Sequence, residues 1–350
     1  MVEILQRLPA RLSDVAKRAQ CSAATVSRVL NAPETVNREA RLRVEAAVRA
    51  LGYTRNGAAR ALRSRRSLTM GIILPTLKQP IYADFIDGFQ EALIRRGYSL
   101  IVTASDYALE RELTQARLLV ERGIDGLVLI GHSHLPELYA FLKAQSVPYV
   151  TTYTFKPRLG HPVIGFDNAA GMAKVVDYLF GLGHRDFAIL AGHRRFNDRV
   201  QERVAGALDA LQALGLPLPP DRVVEVELTI GGGRSGLRHL LAAGNRPTAL
   251  ICSGDVMAYG ALIESRVQGI AVPDDMSVVG YDDLQSSLDV VPPLTTLAFP
   301  AGDMGRRAGD YLLARSFGQD APNEVGLETH LVIRGTAAPP PQIVKIRSKT

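Results

Sequence analysis

The chain is poor in the features that mark secreted, metal-binding and membrane proteins. Of its 350 residues, two are cysteine and none is tryptophan. Cys21 and Cys252 lie far apart, so we expect two reduced packing thiols and neither a disulfide framework nor a zinc site. His132 and His134 have no third ligand nearby in the sequence, so we expect no metal ion. We also expect no cofactor.

Membrane-spanning and secretory segments are lacking as well. The longest apolar runs are far shorter than a membrane span. The start, Met-Val-Glu-Ile-Leu-Gln-Arg, lacks the basic, apolar and small-residue regions of a secretory signal. These observations predict a cytoplasmic protein with no membrane partner.

Positive charge is concentrated at one end of the chain. Residues 1–66 contain 14 Lys and Arg against 5 Asp and Glu, a net charge of +9, whereas the remainder has a net charge of −3. A basic head on a slightly acidic body predicts a polyanion as the partner of the head alone. The length allows two or three domains.

Two apolar stripes at helical spacing flank a short turn near the start. The first runs from Leu12 to Ala19 and the second from Val26 to Leu30. Ser22 is a good N-cap for the second helix, because its hydroxyl can accept a first-turn N–H. The exposed residues of that helix are small, hydrogen-bonding or basic, as a DNA major groove requires: Ala23, Ala24, Thr25, Ser27 and Arg28. The pattern predicts a helix-turn-helix.

A third helix and a basic segment follow. Asn37 can cap a helix from about Arg38 to Leu51, which Gly52 would end. Residues 55–67 are short, basic and poor in large apolar side chains. Two interpretations stay open for this segment: a charged linker, or a short helix that forms only on DNA and exposes Leu62 as a wedge.

From Thr69 onwards, apolar runs alternate with amphipathic helical segments, in two successive series that end near Val279. This alternation predicts an α/β fold in which the helical head is followed by two doubly wound parallel-sheet subdomains. The crevice that the two subdomains share is the natural ligand site. We expect residues 1–10 and the Pro-rich, then basic, tail 337–350 to be disordered.

Gly231-Gly-Gly-Arg-Ser-Gly236 allows a different function. It fits the G-x-G-x-x-G pattern of dinucleotide sites, and Asp255 supplies an acid downstream, so an oxidoreductase is the alternative reading. However, the stretch lies late in the second series and follows a poor candidate for a central strand. We therefore expect a flexible loop at the mouth of the crevice. Since no catalytic arrangement stands out, we expect a protein that is not an enzyme.

The chain resembles the lactose/galactose-repressor (LacI/GalR) family of bacterial transcription regulators over about residues 11–336. The resemblance rests on the order and spacing of many short motifs: Asp14-Val-Ala, Ala24-Thr-Val-Ser-Arg-Val-Leu-Asn31, Leu51-Gly-Tyr53, Asn56, Phe166-Asp-Asn168, Gly183-His-Arg185, Arg203-Val-Ala-Gly206, Arg246-Pro-Thr-Ala249, Val272-Pro-Asp-Asp275, Ser277-Val-Val-Gly-Tyr-Asp282 and Pro293-Leu-Thr-Thr296. Asp198-Arg199 ahead of Arg203 is most similar to the gluconate-repressor branch.

The resemblance implies a domain plan. It comprises a helix-turn-helix domain at 11–54, a hinge at 55–67 and a core at 68–336. Within the core, the N-terminal subdomain would take about 68–165 and 298–328, and the C-terminal subdomain about 166–297 and 329–336.

The resemblance also implies a repressor that binds a near-palindromic operator as a homodimer. Its implied DNA contacts are Ser22, Ala23, Ala24, Thr25, Ser27, Arg28, Asn31, Asn56, Ala59 and Leu62. Leu62 would be the wedge in the minor groove. The family usually has Pro before the hinge Asn, and here the residue is Arg55.

A small polar effector, such as a sugar, sugar acid or sugar phosphate, is implied for the crevice. The positions that match the family's contacts are Arg203, Asp282, Asp255, His132 and Phe299. A surface salt bridge is the alternative for Arg203, and helix capping is the alternative for Asp282 and Asp255. The family often has Gln at the position of Phe299.

Overall fold

The structure is a computed structural model that describes residues 10–54, 66–158, 160–244 and 246–341. The chain separates into two units, Met1–Ser67 and Leu68–Thr350. Within the described ranges, none of the helices combines the length and apolar character needed to cross a membrane.

The first unit is a three-helix domain. Its helices are α1 (Leu12–Ala19), α2 (Ala23–Asn31) and α3 (Arg38–Leu51). They pack around a small apolar core that includes Val15, Ala19, Val26, Val29 and Val44. The helices confirm those that the apolar spacing predicts.

The caps of these helices also agree with the sequence prediction. The Ser22 hydroxyl accepts a hydrogen bond from the Thr25 N–H at 3.1 Å, and the Asn37 amide oxygen accepts one from the Ala40 N–H at 2.8 Å. Gly52 ends α3 with a φ of +59°, a left-handed conformation that favours glycine. Local chemistry therefore fixes where these helices begin and end.

The second unit alternates strands and helices. The helices are α4 (Ala83–Ile94), α5 (Leu109–Glu121), α6 (Pro136–Ala144), α7 (Asn168–Gly181), α8 (Asp198–Ala213), α9 (Ile230–Ala242), α10 (Asp255–Val267) and α11 (Ala301–Ser316). The strands are β1 (Thr69–Leu74), β2 (Ser99–Ala104), β3 (Gly126–Ile130), β4 (Tyr149–Thr152), β5 (Val163–Gly165), β6 (Phe187–Gly192), β7 (Val223–Val226), β8 (Ala249–Cys252), β9 (Ser277–Tyr281), β10 (Thr295–Ala298), β11 (Glu324–Gly326) and β12 (His330–Val332).

The strands form two six-stranded sheets. The N-terminal sheet has the order β11-β5-β4-β3-β1-β2, and the C-terminal sheet has the order β12-β10-β9-β8-β6-β7. Neighbouring strands are parallel except β12, which runs antiparallel to β10. The polypeptide crosses between the sheets three times: after β5, after β10 and after β11. The predicted fold class is confirmed, although the sequence prediction ended before β10, α11 and the two short edge strands.

The start of the C-terminal tail is ordered, which corrects the prediction of disorder from residue 337. The Ala338 N–H donates to the Ser277 hydroxyl at 3.0 Å, and the Ala338 carbonyl lies 2.9 Å from Nε2 of the buried His184. Pro-rich composition suggested disorder, but these main-chain hydrogen bonds fasten the segment to β9. Residues 342–350 and 1–9 lie outside the described residues.

Candidate ligand cleft and nucleic-acid interface

The start of α2 presents an exposed polar face. Ala23, Ala24 and Arg28 are exposed, and in the described part of the chain Arg28 forms no ion pair. The Ser22 and Thr25 hydroxyls lie 2.9 Å apart. This end of α2 therefore offers small side chains, two hydroxyls and one guanidinium to a partner.

The end of the same helix is braced from within. The Asn31 amide donates to the Ser27 carbonyl at 2.7 Å and lies 3.2 Å from the Ser27 hydroxyl. Asn56, Ala59 and Leu62, the predicted hinge contacts, lie outside the described residues.

A cavity of about 690 Å³ opens between the two sheets, at the carboxyl ends of β1, β2, β6 and β7. Its lining comes mostly from the loops that follow these strands, with Gly192 at the end of β6, Ile230 at the start of α9 and Val256 at the start of α10: Thr76, Lys78, Gln79, Pro80, Asp106, Tyr107, Gly192, His193, Arg195, Asn197, Glu227, Leu228, Thr229, Ile230 and Val256. Ligands of open α/β sheets bind at such strand ends, and this volume suits a small molecule. We call the outer part of this cavity, lined by Lys78, Gln79, Arg195 and Thr229, the mouth.

Arg203 lies deeper, in a buried polar cluster that we call the base (Asn168, Arg203, Ser253 and Asp282). From α8 its Nε donates to the Asn168 amide oxygen at 2.9 Å. One terminal nitrogen donates to the Ser253 carbonyl at 2.7 Å and lies 3.2 Å from the Asp282 carboxylate. Its guanidinium also stacks 3.7 Å above the Tyr281 ring. Arg203 is 3% exposed, so the alternative of a surface salt bridge is wrong.

Asp282 directly follows β9 and has a φ of +125°, which is rare for a residue with a side chain. Burial raises the pKa of its carboxyl to about 8, opposed by the charge of Arg203 and by a hydrogen bond from the Asp255 main-chain N–H. That N–H belongs to the first turn of α10. Asp282 therefore contacts both Arg203 and the start of a helix.

Asp255 is fully buried behind Asp282. Its carboxylate accepts hydrogen bonds from the Thr296 hydroxyl at 2.6 Å, the Ser287 hydroxyl at 2.7 Å and the Leu284 N–H at 2.8 Å. Burial raises the pKa of Asp255 in spite of these bonds. Asp255 is the first residue of α10 rather than its N-cap, which is Gly254. It therefore ties α10 to β10 and to the segment that follows β9.

The other two predicted contacts lie apart from the base. His132 follows β3, and its Nδ1 lies 3.0 Å from the Asp198 carboxylate at the start of α8. Phe299 is buried where the chain crosses back after β10, with its ring stacked on Phe166 at a centroid distance of 4.2 Å. Phe166 lies on the first crossing, just after β5. The pair thus joins two of the three crossings.

Asp198 and Arg199 connect the C-terminal subdomain to the loop after β3. The Asp198 carboxylate accepts hydrogen bonds from the His132 N–H and, at 2.9 Å, from the Ser133 N–H. Arg199 donates to the Ile130 carbonyl at 3.2 Å. Burial opposes ionisation of Asp198, but Arg199 and the His132 bonds hold its pKa well below the usual range. The ion pair between Asp198 and Arg199 is therefore part of the contact between the two subdomains.

The deep end of the cleft is nearly filled. A cavity of about 20 Å³ remains beside Arg203 and Asp282, roughly the space of one water molecule. Its lining includes residues that the sequence analysis missed: Gln79, Ile81, Tyr82, Tyr107, Tyr153, Asn197, Arg199, Val200 and Leu228. Most of them follow β1, β2, β4, β6 or β7 within a few residues. The rule that ligands bind at carboxyl ends of parallel strands could have identified them.

The glycine run is helical, which corrects the prediction of a flexible loop. Gly231, Gly232 and Gly233 lie in the first turn of α9, where the Thr229 hydroxyl accepts the Gly232 N–H at 3.0 Å. A Cβ on Gly233 would lie 2.0 Å from the Met257 carbonyl oxygen of α10. The glycines thus allow two helices to approach closely. The preceding strand, β7, is also at the sheet edge, away from the place of a dinucleotide loop.

Among the described residues, His, Cys, Asp and Glu side chains form no group that could hold a metal ion. Both cysteines have free thiols, and burial raises the pKa of the Cys252 thiol.

Comparisons with known proteins agree over both units. A model for bacterial regulatory proteins of the lacI family matches residues 11–56, and one for a periplasmic binding protein-like domain matches residues 176–337. The chain is 32% identical to the HTH-type transcriptional repressor CytR of Escherichia coli (strain K12), across 95% of this chain and 97% of that protein.

Solved structures are similar along nearly the whole chain. The lac repressor dimer bound to operator and the anti-inducer ONPF has a TM-score of 0.84 and 29% identity, covering 95% of this chain and all of that one. A complex of the transcriptional regulator CelR with cellobiose has a TM-score of 0.69 and 29% identity, covering 94% of this chain and all of that one. These relatives are regulators, and none of these comparisons supports the oxidoreductase alternative.

Proposed function

Since the chain belongs to the lacI family of bacterial regulatory proteins, we propose that it is a transcriptional repressor that binds operator DNA as a homodimer. A small polar effector, such as a sugar, sugar acid or sugar phosphate, binds the cleft and changes DNA affinity. The observation that carries the proposal is the exposed start of α2, on a domain with a net charge of +9 over residues 1–66. Among the similar structures, the lac repressor dimer is bound to operator DNA and CelR is bound to the sugar cellobiose.

On the DNA side, direct base recognition rests on few groups. Ala23 and Ala24 can contact a thymine methyl but cannot form a hydrogen bond through their side chains. Arg28 is exposed and can pair in bidentate fashion with a guanine, and the Ser22 and Thr25 hydroxyls add polar contacts. The remaining selectivity comes from the shape of the duplex, which Leu62 senses as a minor-groove wedge.

An exposed apolar surface supports the dimer. Four large apolar side chains are exposed on α10 and in the segment after β9: Ile263, Val267, Leu288 and Val291. The Arg266 guanidinium bonds the Val291 carbonyl at 3.5 Å and so links the two segments. Exposed apolar surface of this kind can mark an interaction site, and a second copy of the chain can cover it isologously.

Effector binding can act on DNA only through a difference between two arrangements of the subdomains. Arg203 and Asp282 line the end of the cleft, while Asp198 and Arg199 contact the opposite subdomain from the same helix. A ligand in the cleft beside Asn197, the N-cap of α8, therefore changes how α8 meets the loop after β3. We expect a coupling free energy of about 1–3 kcal/mol, equal in both directions.

The DNA-binding proposal is tested with duplexes selected by the full-length protein from a random pool. We expect near-palindromic sites and an affinity that falls about 10³–10⁵-fold between 50 and 200 mM salt, if the head makes about 6–10 phosphate contacts. Arg28→Ala should cost about 1–3 kcal/mol at one guanine in each half-site.

The matched control is Arg41→Ala in α3, since Arg41 is occupied by an ion pair with Glu45 at 2.7 Å. It should leave base preference unchanged. A flat salt response in fluorescence anisotropy would contradict the nucleic-acid function. Equal loss of base preference in both variants would contradict the role of Arg28.

A further inference from the structure

The two sides of the cleft mouth each carry a cation without an anionic partner. Lys78 lies on the loop after β1, in the N-terminal subdomain, and Arg195 lies on the loop after β6, in the C-terminal subdomain. Both side chains are exposed and both line the 690 Å³ cavity. Within the described ranges, neither lies within 4.0 Å of a carboxylate, and the guanidinium of Arg195 rests over the Phe196 ring at 4.9 Å.

The charged groups around the mouth lie close to groups that can pair with them. The Asp106 carboxylate accepts a hydrogen bond from Arg111, and the Glu227 carboxylate lies 3.3 Å from Nε2 of His193. Arg194, the neighbour of Arg195, is paired with Glu225 at 2.6 Å. Asp106 and Glu225 therefore have cationic partners and Glu227 lies against a histidine, while Lys78 and Arg195 leave positive charge on both sides of the opening.

The start of α9 adds polar N–H groups to the same surface. Thr229 and Ile230 line the cavity, and the first N–H groups of a helix have no partner within the helix. The Thr229 hydroxyl satisfies Gly232, which leaves the N–H groups of Ile230 and Gly231. A Cβ on Gly231 would lie 3.8 Å from the Thr229 hydroxyl oxygen, so the space beside this residue is open.

The base offers no comparable place for an anion. The guanidinium group of Arg203 already donates to Asn168, Ser253 and Asp282, and that of Arg199, which lines the same small cavity, donates to Ile130 and Asp198. The space left beside Arg203 is about 20 Å³, which is too small for a phosphate. An anionic group would therefore have to stay in the outer cavity.

We propose that the effector carries an anionic group, a phosphate or a carboxylate, that binds at the mouth between Lys78 and Arg195. Its hydroxyl-bearing part points inward, towards the buried Asn197, which lines both the outer cavity and the small cavity beside Arg203. The inference rests on the proposed function, because it names the ligand class of the same cleft. Since the two cations belong to different subdomains, the anion joins them, and binding favours the closed arrangement of the cleft.

The test compares neutral sugars with their anionic counterparts on the full-length protein, in a phosphate-free buffer of low ionic strength. The probes are ribose and ribose 5-phosphate, and glucose, gluconate and glucose 6-phosphate, with inorganic phosphate as the minimal anion. Thermal shift identifies binding, and calorimetric titration gives the dissociation constants. At least one anionic sugar should bind about tenfold or more tightly than its neutral parent, an advantage that shrinks with added salt.

Two variants locate the effect. Lys78→Gln and Arg195→Gln should each weaken the anionic sugar about tenfold and leave its neutral parent unchanged. Arg194→Gln is the matched control, since Arg194 is adjacent but paired with Glu225, and it should keep the full preference. Urea unfolding of the three variants checks that they fold equally well.

The anion site is overturned if every anionic probe fails to bind, if neutral and anionic sugars bind equally, or if Lys78→Gln and Arg195→Gln both keep the full preference. In each case the repressor function is judged separately, by anisotropy on the selected duplexes. If DNA binding is salt-dependent and site-specific but the protein shows no preference for anionic sugars, the repressor function is supported and only the anion site is contradicted. If the protein binds no duplex, the proposed repressor function is contradicted, independently of the sugar-binding results.

Discussion

The base and the mouth of the cleft are built from similar residue types but treat their charges differently. In the base, the guanidinium of Arg203 is buried and hydrogen-bonded to three protein oxygens. At the mouth, Lys78 and Arg195 remain exposed and without carboxylate partners among the described residues. Buried polar groups need hydrogen-bond partners from the protein itself, whereas exposed cations remain available to bind a ligand. The base therefore determines the shape of the cleft, and the mouth is the part suited to selecting a ligand by charge.

Replacing Arg203 in the base should lower the free energy of unfolding more than any other change considered below. Arg203→Ala removes the buried donor to Asn168, Ser253 and Asp282. Each buried acceptor that loses its donor costs about 1–3 kcal/mol in the free energy of unfolding. The equivalent change at the mouth, Arg195→Ala, should stay within about 0.5 kcal/mol. Urea denaturation of both variants measures the difference. Similar losses in the two would mean that the two regions do not differ as described.

Two glycine substitutions in the first turn of α9 should differ in their effect on stability, but by less than the Arg203 and Arg195 variants do. Gly233→Ala places a Cβ 2.0 Å from the Met257 carbonyl and should push α9 from α10, at a cost of about 1–3 kcal/mol. Gly231→Ala, two residues earlier, projects into open space and should be neutral or stabilising by up to about 1 kcal/mol. Thermal unfolding compares them. A harmless Gly233→Ala would show that the helices can separate without cost.

The titration of Asp282 should make stability depend on pH. Burial raises its folded-state pKa to about 8, above the unfolded value, so the native protein binds more protons between about pH 4 and 8. The free energy of unfolding should then fall as pH rises across this window, by at most about 1.4 kcal/mol per pH unit. Asp282→Asn removes this titration and should flatten the profile. Parallel profiles for the wild type and the variant would contradict a raised pKa.

The helix-turn-helix could be predicted closely because its signals are local. Ser22, Asn37 and Gly52 mark helix ends through their own side-chain or backbone chemistry, and the structure places the ends there. The alternation of apolar runs with amphipathic segments likewise identified the strands as far as β9. Local periodicity is thus sufficient for the elements and for the fold class.

The cleft could be predicted only in part, because its geometry depends on contacts distant in sequence. Arg203 and Asp282 are in contact, as the sequence prediction implied. However, nothing in the sequence shows that the Arg203 guanidinium also donates to Asn168 and Ser253. Phe299 was interpreted as a ligand contact, and its position on a crossing, stacked on Phe166, depends on how the two sheets are joined. The Gly231–Gly233 run was misread because a Gly-rich loop and a close helix pair need the same residue for different reasons.

The three crossings between the sheets have a consequence for synthesis on the ribosome. Neither sheet is complete until its last strand emerges, and those strands, β11 and β12, lie within residues 324–332. Until then, β5 and β10 present unpaired main-chain edges, which can join strands of other nascent chains. A chain that stalls or is cut before residue 324 would therefore expose two open edges at once. The short strands β11 and β12 therefore cover the edges of β5 and β10 within a single short stretch of translation.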